Sequence, residues 1–170
     1  MDNAKSYKEY LHQITTFIFD VDGVLTNGDI QISENGELLR TMNVKDGFGV
    51  KYAIKQGYNM AIISAGTNQG VKQRLETLGI TNVFLDSQNK LEVYNSFVEK
   101  HNLKPEEILY VGDDIMDIEV MKLVGLACCP QDAVPEVKQI SNYISHKNGG
   151  KGCVREIIEQ VLKVQNKWNF

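Results

Sequence analysis

Cysteine is scarce in this 170-residue chain: Cys128, Cys129 and Cys153 show no CxxC spacing, and two of them are adjacent. Neither a disulfide framework nor a zinc site is expected from them; reduced thiols in a core are. Charge of one sign is lacking too. The formal net charge is −4, with no basic arm or acidic tail, so no field is available to hold nucleic acid and a small-molecule partner is expected. No apolar run approaches the length of a membrane span, and the opening MDNAKSYKEYLHQ is polar and amphipathic, unlike a signal peptide. A cytoplasmic protein without a membrane partner is the resulting expectation. Internal repeats, low-complexity tracts and linkers are also missing, and 42% hydrophobic with 24% charged residues suits one globular domain over residues 1–170.

What is present is alternation. Short apolar runs recur at Thr16–Val21, Tyr58–Ser64, Asn82–Leu85, Ile108–Gly112 and Gly125–Cys129, and most segments between them can hold one helix. This predicts βαβ units around a parallel sheet, an α/β fold. Gln69–Leu78 and Leu91–His101 carry apolar stripes at helical spacing, and Pro105 with Glu106 and Glu107 resembles a helix start. The exception follows the first run, where Glu34-Asn35-Gly36 sits between GDIQIS and GELLRTMNV. Asn-Gly in that setting predicts a projecting β-hairpin at about 29–43. A glycine-rich segment, Asn148–Gly152, precedes a last helix predicted over Cys153–Val164, the pair covering about 148–166. That segment reads equally well as a lid or as a loop before a helix.

Chemistry concentrates where strands end. Asp20 and Asp22 close the run Phe17–Val21, at the sheet edge where open α/β sheets bind ligands. A carboxylate is already ionised at neutral pH and needs no base to act as a nucleophile. Its attack on a phosphate dianion brings like charges together, so a cation is required. Oxygen-only ligands suit Mg2+, and Gly112-Asp113-Asp114-Ile115-Met116-Asp117 supplies them at a second strand end. Either acidic turn alone is more often a helix cap; two together at strand ends are a stronger signal. Ser64, with nearby amides, closes another strand where a phosphate could bind, and Lys90 could neutralise charge shared by Asp20 and that phosphate.

DVDGVLT, a strand-end serine, a lysine and GDDxxD, in this order over almost the whole chain, resemble the haloacid dehalogenase superfamily. The resemblance implies a single Rossmann-like doubly wound sheet, with Asp20 as nucleophile, Asp22 as general acid and then base, and Ser64 and Lys90 binding phosphate. It implies Mg2+ held by Asp20, the Asp22 backbone carbonyl and Asp113, with Asp114 and Asp117 supporting the loop. Neither gap that carries a cap domain in larger members has room for one here. GDIQISENGELLRTMNVKDGFGV and GGKGCVREI further resemble the 3-deoxy-D-manno-octulosonate 8-phosphate phosphatases, which implies a phosphorylated sugar acid as substrate and a homotetramer whose subunits close one another's sites. Thr26, Lys45, Gly66 and Arg74 are the substrate-binding candidates, Arg74 first for a carboxylate. Ser64-Ala65-Gly66 departs from the Ser-Gly-Arg of many octulosonate enzymes, which leaves a nine-carbon, sialic-acid-like 9-phosphate open as substrate. A non-catalytic or receiver-like regulatory module is the alternative of another class.

Overall fold

The computed structural model describes residues 6–170, so the first five residues of the polar opening lie outside the described residues. In chain order the elements are α1 (Tyr7–Tyr10), β1 (Thr16–Phe19), β2 (Gln31–Ile32), β3 (Leu38–Leu39), α2 (Val44–Lys55), β4 (Asn59–Ile63), α3 (Gln69–Thr77), β5 (Asn82–Phe84), α4 (Lys90–Lys100), β6 (Ile108–Val111), α5 (Ile118–Met121), β7 (Leu126–Cys129), α6 (Pro135–Ile140), β8 (Tyr143–Ile144) and α7 (Cys153–Val164). Six strands form one parallel sheet in the order β5-β4-β1-β6-β7-β8. The first strand in sequence is thus central, and its end is flanked by the ends of β4 and β6. Among the described residues no helix is long and apolar enough to cross a membrane.

Strand β1 is buried throughout because both of its faces are covered. Phe17 and Phe19 face a core built with α2, α3 and α7, while Ile18 faces another built with α4, α5 and α6. Cys128, Cys129 and Cys153 are free and buried in these cores. All five apolar runs become strands of the sheet. The edge strand β8 escapes the sequence reading because it is two residues long, one half-buried and one exposed, and carries no pattern.

The hairpin forms with Ile32 opposite Leu38, around a turn in which Gly36 adopts a positive φ. Its second arm ends at Leu39, although GELLRTMNV reads as one continuous flank. The reason is local: the Asn43 side chain accepts a hydrogen bond from the Lys45 amide and starts α2 there. Helix α2 packs along α7, and its buried Asp46 accepts from the Gly152 and Arg155 amides, capping α7 across the chain. The helix start read at Pro105 is a single 3-10 turn, Pro105–Glu107, leading directly into β6.

Candidate active site

The end of β1 extends one residue as a ladder, the Asp20 amide donating to the Val111 carbonyl at 3.0 Å. The chain then turns sharply, with Val24, Leu25 and Thr26 amides all donating to the Val21 carbonyl. Gly23 makes the turn possible: its φ is +86°, and a Cβ there would stand 1.9 Å from Asp113 Oδ2. Asp20, Asp22, Ser64, Gly66, Lys90, Asp113, Asp114 and Asp117 thereby line one cleft of about 260 Å3 at the strand ends. Larger grooves exist on the surface, but neither brings carboxylates to a point.

Lys90 joins the two acidic turns. Its Nζ lies 2.7 Å from Asp20 Oδ2 and 2.7 Å from Asp117 Oδ1, and all three groups are buried. Burial works against the ammonium, but the two carboxylates outweigh it and hold the Lys90 pKa above its ordinary value. Asp117 also accepts from the Tyr110 hydroxyl and from the Asp113 and Asp114 amides. Its two oxygens thus hold the loop together. Although Asp20, Asp113 and Asp117 each offer an oxygen within 4.8 Å of one another, both oxygens of Asp117 are engaged by Lys90, Tyr110 and the loop amides, so it serves as the anchor. Asp114 caps the turn, accepting from the Ile115 amide at 2.7 Å.

The electrostatics call for a cation. Asp113 Oδ1 is buried without a hydrogen-bond partner. Burial first, then the charges of Asp20 and Asp117, pushes the Asp113 carboxyl up to about 8. Asp20 is pushed up to about 6 by burial and by Asp117, against the opposing pull of Lys90 and the Val21 amide. An orphaned carboxylate oxygen, a raised pair of acids and oxygen-only donors match what Mg2+ takes.

The remaining candidates divide. Ser64 Oγ accepts from the Gly66 amide at 3.2 Å and sits at the cleft floor. Thr26 is buried below the cleft, where its Oγ1 accepts from the Gly23 and Gly28 amides and lies 3.3 Å from Asp22 Oδ1. It braces the acidic turn. Lys45 and Arg74 are not brought to the cleft. Lys45 opens α2 and lines a separate groove with Lys8, Lys151 and Arg155. Arg74 is exposed on α3, its Nη2 packed 3.1 Å from the position of a Cβ on Gly47. Two residues escaped the sequence reading. Tyr110 looks like core inside a strand, and Arg40 looks like any solvated hairpin arginine, yet Arg40 holds Asp22 at 2.7 Å.

Comparison with known proteins shows the family. The family model described as haloacid dehalogenase-like hydrolase matches residues 48–129. The chain is 40% identical over 154 residues to the 3-deoxy-D-manno-octulosonate 8-phosphate phosphatase of Escherichia coli K12, covering 91% of this chain and 82% of that protein. The crystal structure of the Yersinia pestis 3-deoxy-D-manno-octulosonate 8-phosphate phosphatase superposes with a TM-score of 0.92 at 34% identity, over 95% of this chain and 87% of that one. The Moraxella catarrhalis phosphatase, solved with a magnesium ion, a phosphate ion and a KDO molecule, gives a TM-score of 0.91 at 29% identity, over 94% and 92%.

Proposed function

Because the chain belongs to the 3-deoxy-D-manno-octulosonate 8-phosphate phosphatases, among the haloacid dehalogenase-like hydrolases, we propose that it hydrolyses that sugar-acid phosphate to KDO and phosphate, using Mg2+. The observation that carries the chemistry is the arrangement at the strand ends. Asp20 shares Lys90 with Asp117 and has an oxygen within 4.8 Å of one of Asp113, whose Oδ1 is buried without a partner. A buried carboxylate oxygen rarely goes without a partner, so one at this point calls for a cation or a water.

In the proposed mechanism a carboxylate oxygen of Asp20 attacks phosphorus, the bond to the sugar oxygen breaks, and Asp22 gives that oxygen its proton. Water then attacks the aspartyl-phosphate, Asp22 takes a proton back, and Asp20 is regenerated with release of phosphate. Lys90 and the Ser64 hydroxyl hold phosphate oxygens through both steps. Asp20, the Asp22 carbonyl and Asp113 would hold the magnesium ion, which supplies the positive charge that lets carboxylate and phosphate meet. Asp114 and Asp117 keep the loop in place, and the bare Gly66 leaves the cleft wall open beside Ser64.

Phosphate release from the eight-carbon octulosonate 8-phosphate, nine-carbon ulosonate 9-phosphates and ordinary sugar phosphates, with and without Mg2+, tests the assignment. A kcat/KM for the eight-carbon acid at least about tenfold above the others is expected, an energy of ~1.4 kcal/mol that one good polar contact supplies. Preference for a nine-carbon acid would transfer the enzyme to that substrate. Flat, feeble rates throughout would favour a regulatory module.

We further propose that the hairpin builds a homotetramer. Ile30, Ile32, Leu38 and Leu39 are exposed on it, continuing into Val44 and Phe48 at the start of α2. An apolar patch of this kind on a small protein marks an interface. Lys45, beside Val44, and Arg74 could then meet a substrate held in a neighbouring subunit. Light scattering should give four times the chain mass; a monomer at micromolar concentration would refute the assembly.

A further inference from the structure

The hairpin is tied to the reacting groups through one side chain. Arg40 immediately follows β3, and its Nε donates to Asp22 Oδ1 at 2.7 Å while Nη2 donates to Asp22 Oδ2 at 3.0 Å. Its Nη1 donates to the Leu38 carbonyl at 3.3 Å. That same carbonyl accepts from Asn68 Nδ2 at 2.8 Å, and the Asn68 Oδ1 caps α3 by accepting from the Val71 amide. Two segments thus meet at the guanidinium, the turn after β1 and the hairpin, and the shared Leu38 carbonyl links them to the helix that leaves the Ser64 loop. Gly66 borders the pair: a Cβ there would stand at ordinary contact distance, 3.4 Å from Asp22 Oδ2 and 3.7 Å from Arg40 Nη2.

Exposure separates the two partners. The Arg40 side chain is 7% exposed and the Asp22 side chain 31%, and Asp22, not Arg40, lines the cleft. The guanidinium therefore acts on a substrate through Asp22. Two parallel N–H···O bonds fix the plane of a carboxylate as well as its place, which a lysine ammonium does not do. Each Asp22 oxygen accepts one N–H from Arg40 and keeps a second lone pair, and the proton given to the leaving group must be carried on one of these, so the plane matters.

We propose that Arg40 is a positioning residue for the acid–base step, holding the Asp22 carboxylate in register with the leaving oxygen and making the hairpin a working part of each site. The proposal rests on the phosphatase reading given above. Its signature is a dependence on the leaving group. A sugar alkoxide must be protonated as it departs, whereas nitrophenolate departs without a proton.

The test is single-turnover formation of the phospho-enzyme by Arg40→Gln and Arg40→Lys. The substrates are the sugar phosphate that the wild type hydrolyses fastest and p-nitrophenyl phosphate. For the sugar phosphate, Arg40→Gln should slow formation about 100-fold with KM within about threefold, as expected when a reacting group is misplaced by about an ångström. For the aryl phosphate the rate should stay within about threefold, because proton donation contributes little there. Arg40→Lys keeps the charge without the fork and should recover no more than about a tenth of the lost rate; it carries the comparison by itself if Arg40→Gln does not fold. Equal losses on both substrates, a change confined to KM, or full recovery by lysine would overturn the proposal. A wild type inactive on both substrates would overturn the phosphatase reading instead.

Discussion

Asp20→Asn is expected to lower kcat by at least about 10³-fold, the scale seen when a covalent nucleophile is removed, while the protein stays folded. The substitution is nearly isosteric, and the new side-chain oxygen can still accept from the Val21 amide, which lies 2.6 Å from Asp20 Oδ1. Stability carries a second, signed expectation. Burial and the neighbouring carboxylates push Asp20 up to about 6 and Asp113 up to about 8 in the fold, above the ordinary 3.8 of an aspartate. The folded protein thus keeps these protons where the unfolded chain has lost them. Their contribution to stability without Mg2+ therefore falls as pH rises from about 4 to about 8. The substituted side chain carries no charge to be repelled, so the Mg2+-free variant should melt at or above the wild type at pH 8, with the gap closing at pH 5. Thermal melts at the two pH values, with and without Mg2+, read this directly. Retained activity in pure protein would remove Asp20 from the nucleophile's role, and a lower melting point at pH 8 would mean that its attraction to Lys90 outweighs the repulsion.

Much of this site was legible because its parts are coded locally. An apolar run followed by Asp-x-Asp-Gly, and another followed by Gly-Asp-Asp, each announce a strand end with acids on it. A parallel sheet with β1 in the centre brings β4 and β6 to either side, so Ser64 and Asp113 reach Asp20 without any long-range guess. Lys90 was legible by its order in the chain. Arg40 was not, since its partner Asp22 is 18 residues away and no periodicity encodes how a hairpin folds back. Tyr110 hid for the opposite reason: one hydroxyl inside a strand of core residues looks like packing until Asp117 is seen 2.7 Å away. Lys45 and Arg74 show the limit of nearness in sequence. Both follow site motifs, yet helix phase and the packing of α2 turn them away from the cleft of their own chain.

The glycine-rich segment, equally readable as a lid or a loop, is placed by the fold against the turn after β1, which makes Gly149→Ala the decisive substitution. The Gly149 amide donates to Asp132 Oδ1 at 2.9 Å and the Gly150 amide donates to the Val24 carbonyl at 2.9 Å. A Cβ on Gly149 would stand 1.8 Å from the Gly23 carbonyl oxygen and 3.0 Å from that of Thr26. Backbone cannot rotate out of the way as a side chain does. An alanine must therefore push the Gly23 peptide, which adjoins Asp22 and packs against Asp113. The expected result is a kcat about 100-fold lower from misplacement of the acids, a higher Mg2+ concentration for half-maximal activity, and a stability loss of about 1–3 kcal/mol from overpacking. Gly152→Ala separates this wedge from backbone strain. Gly152 has a φ of +100° but nothing within 4 Å of its Cβ position, so it should lose stability and keep kcat. Truncation after Asn148 cannot make this distinction, because it deletes α7 and with it Cys153, Val154, Ile157, Ile158, Val161 and Leu162 from the core. If Gly149→Ala turned over substrate at the wild-type rate, the segment would be free enough to yield, and a lid would be the better account. Loss of kcat in Gly149→Ala but not in Gly152→Ala would make the segment a fixed buttress of the turn that carries Asp22 and Gly23.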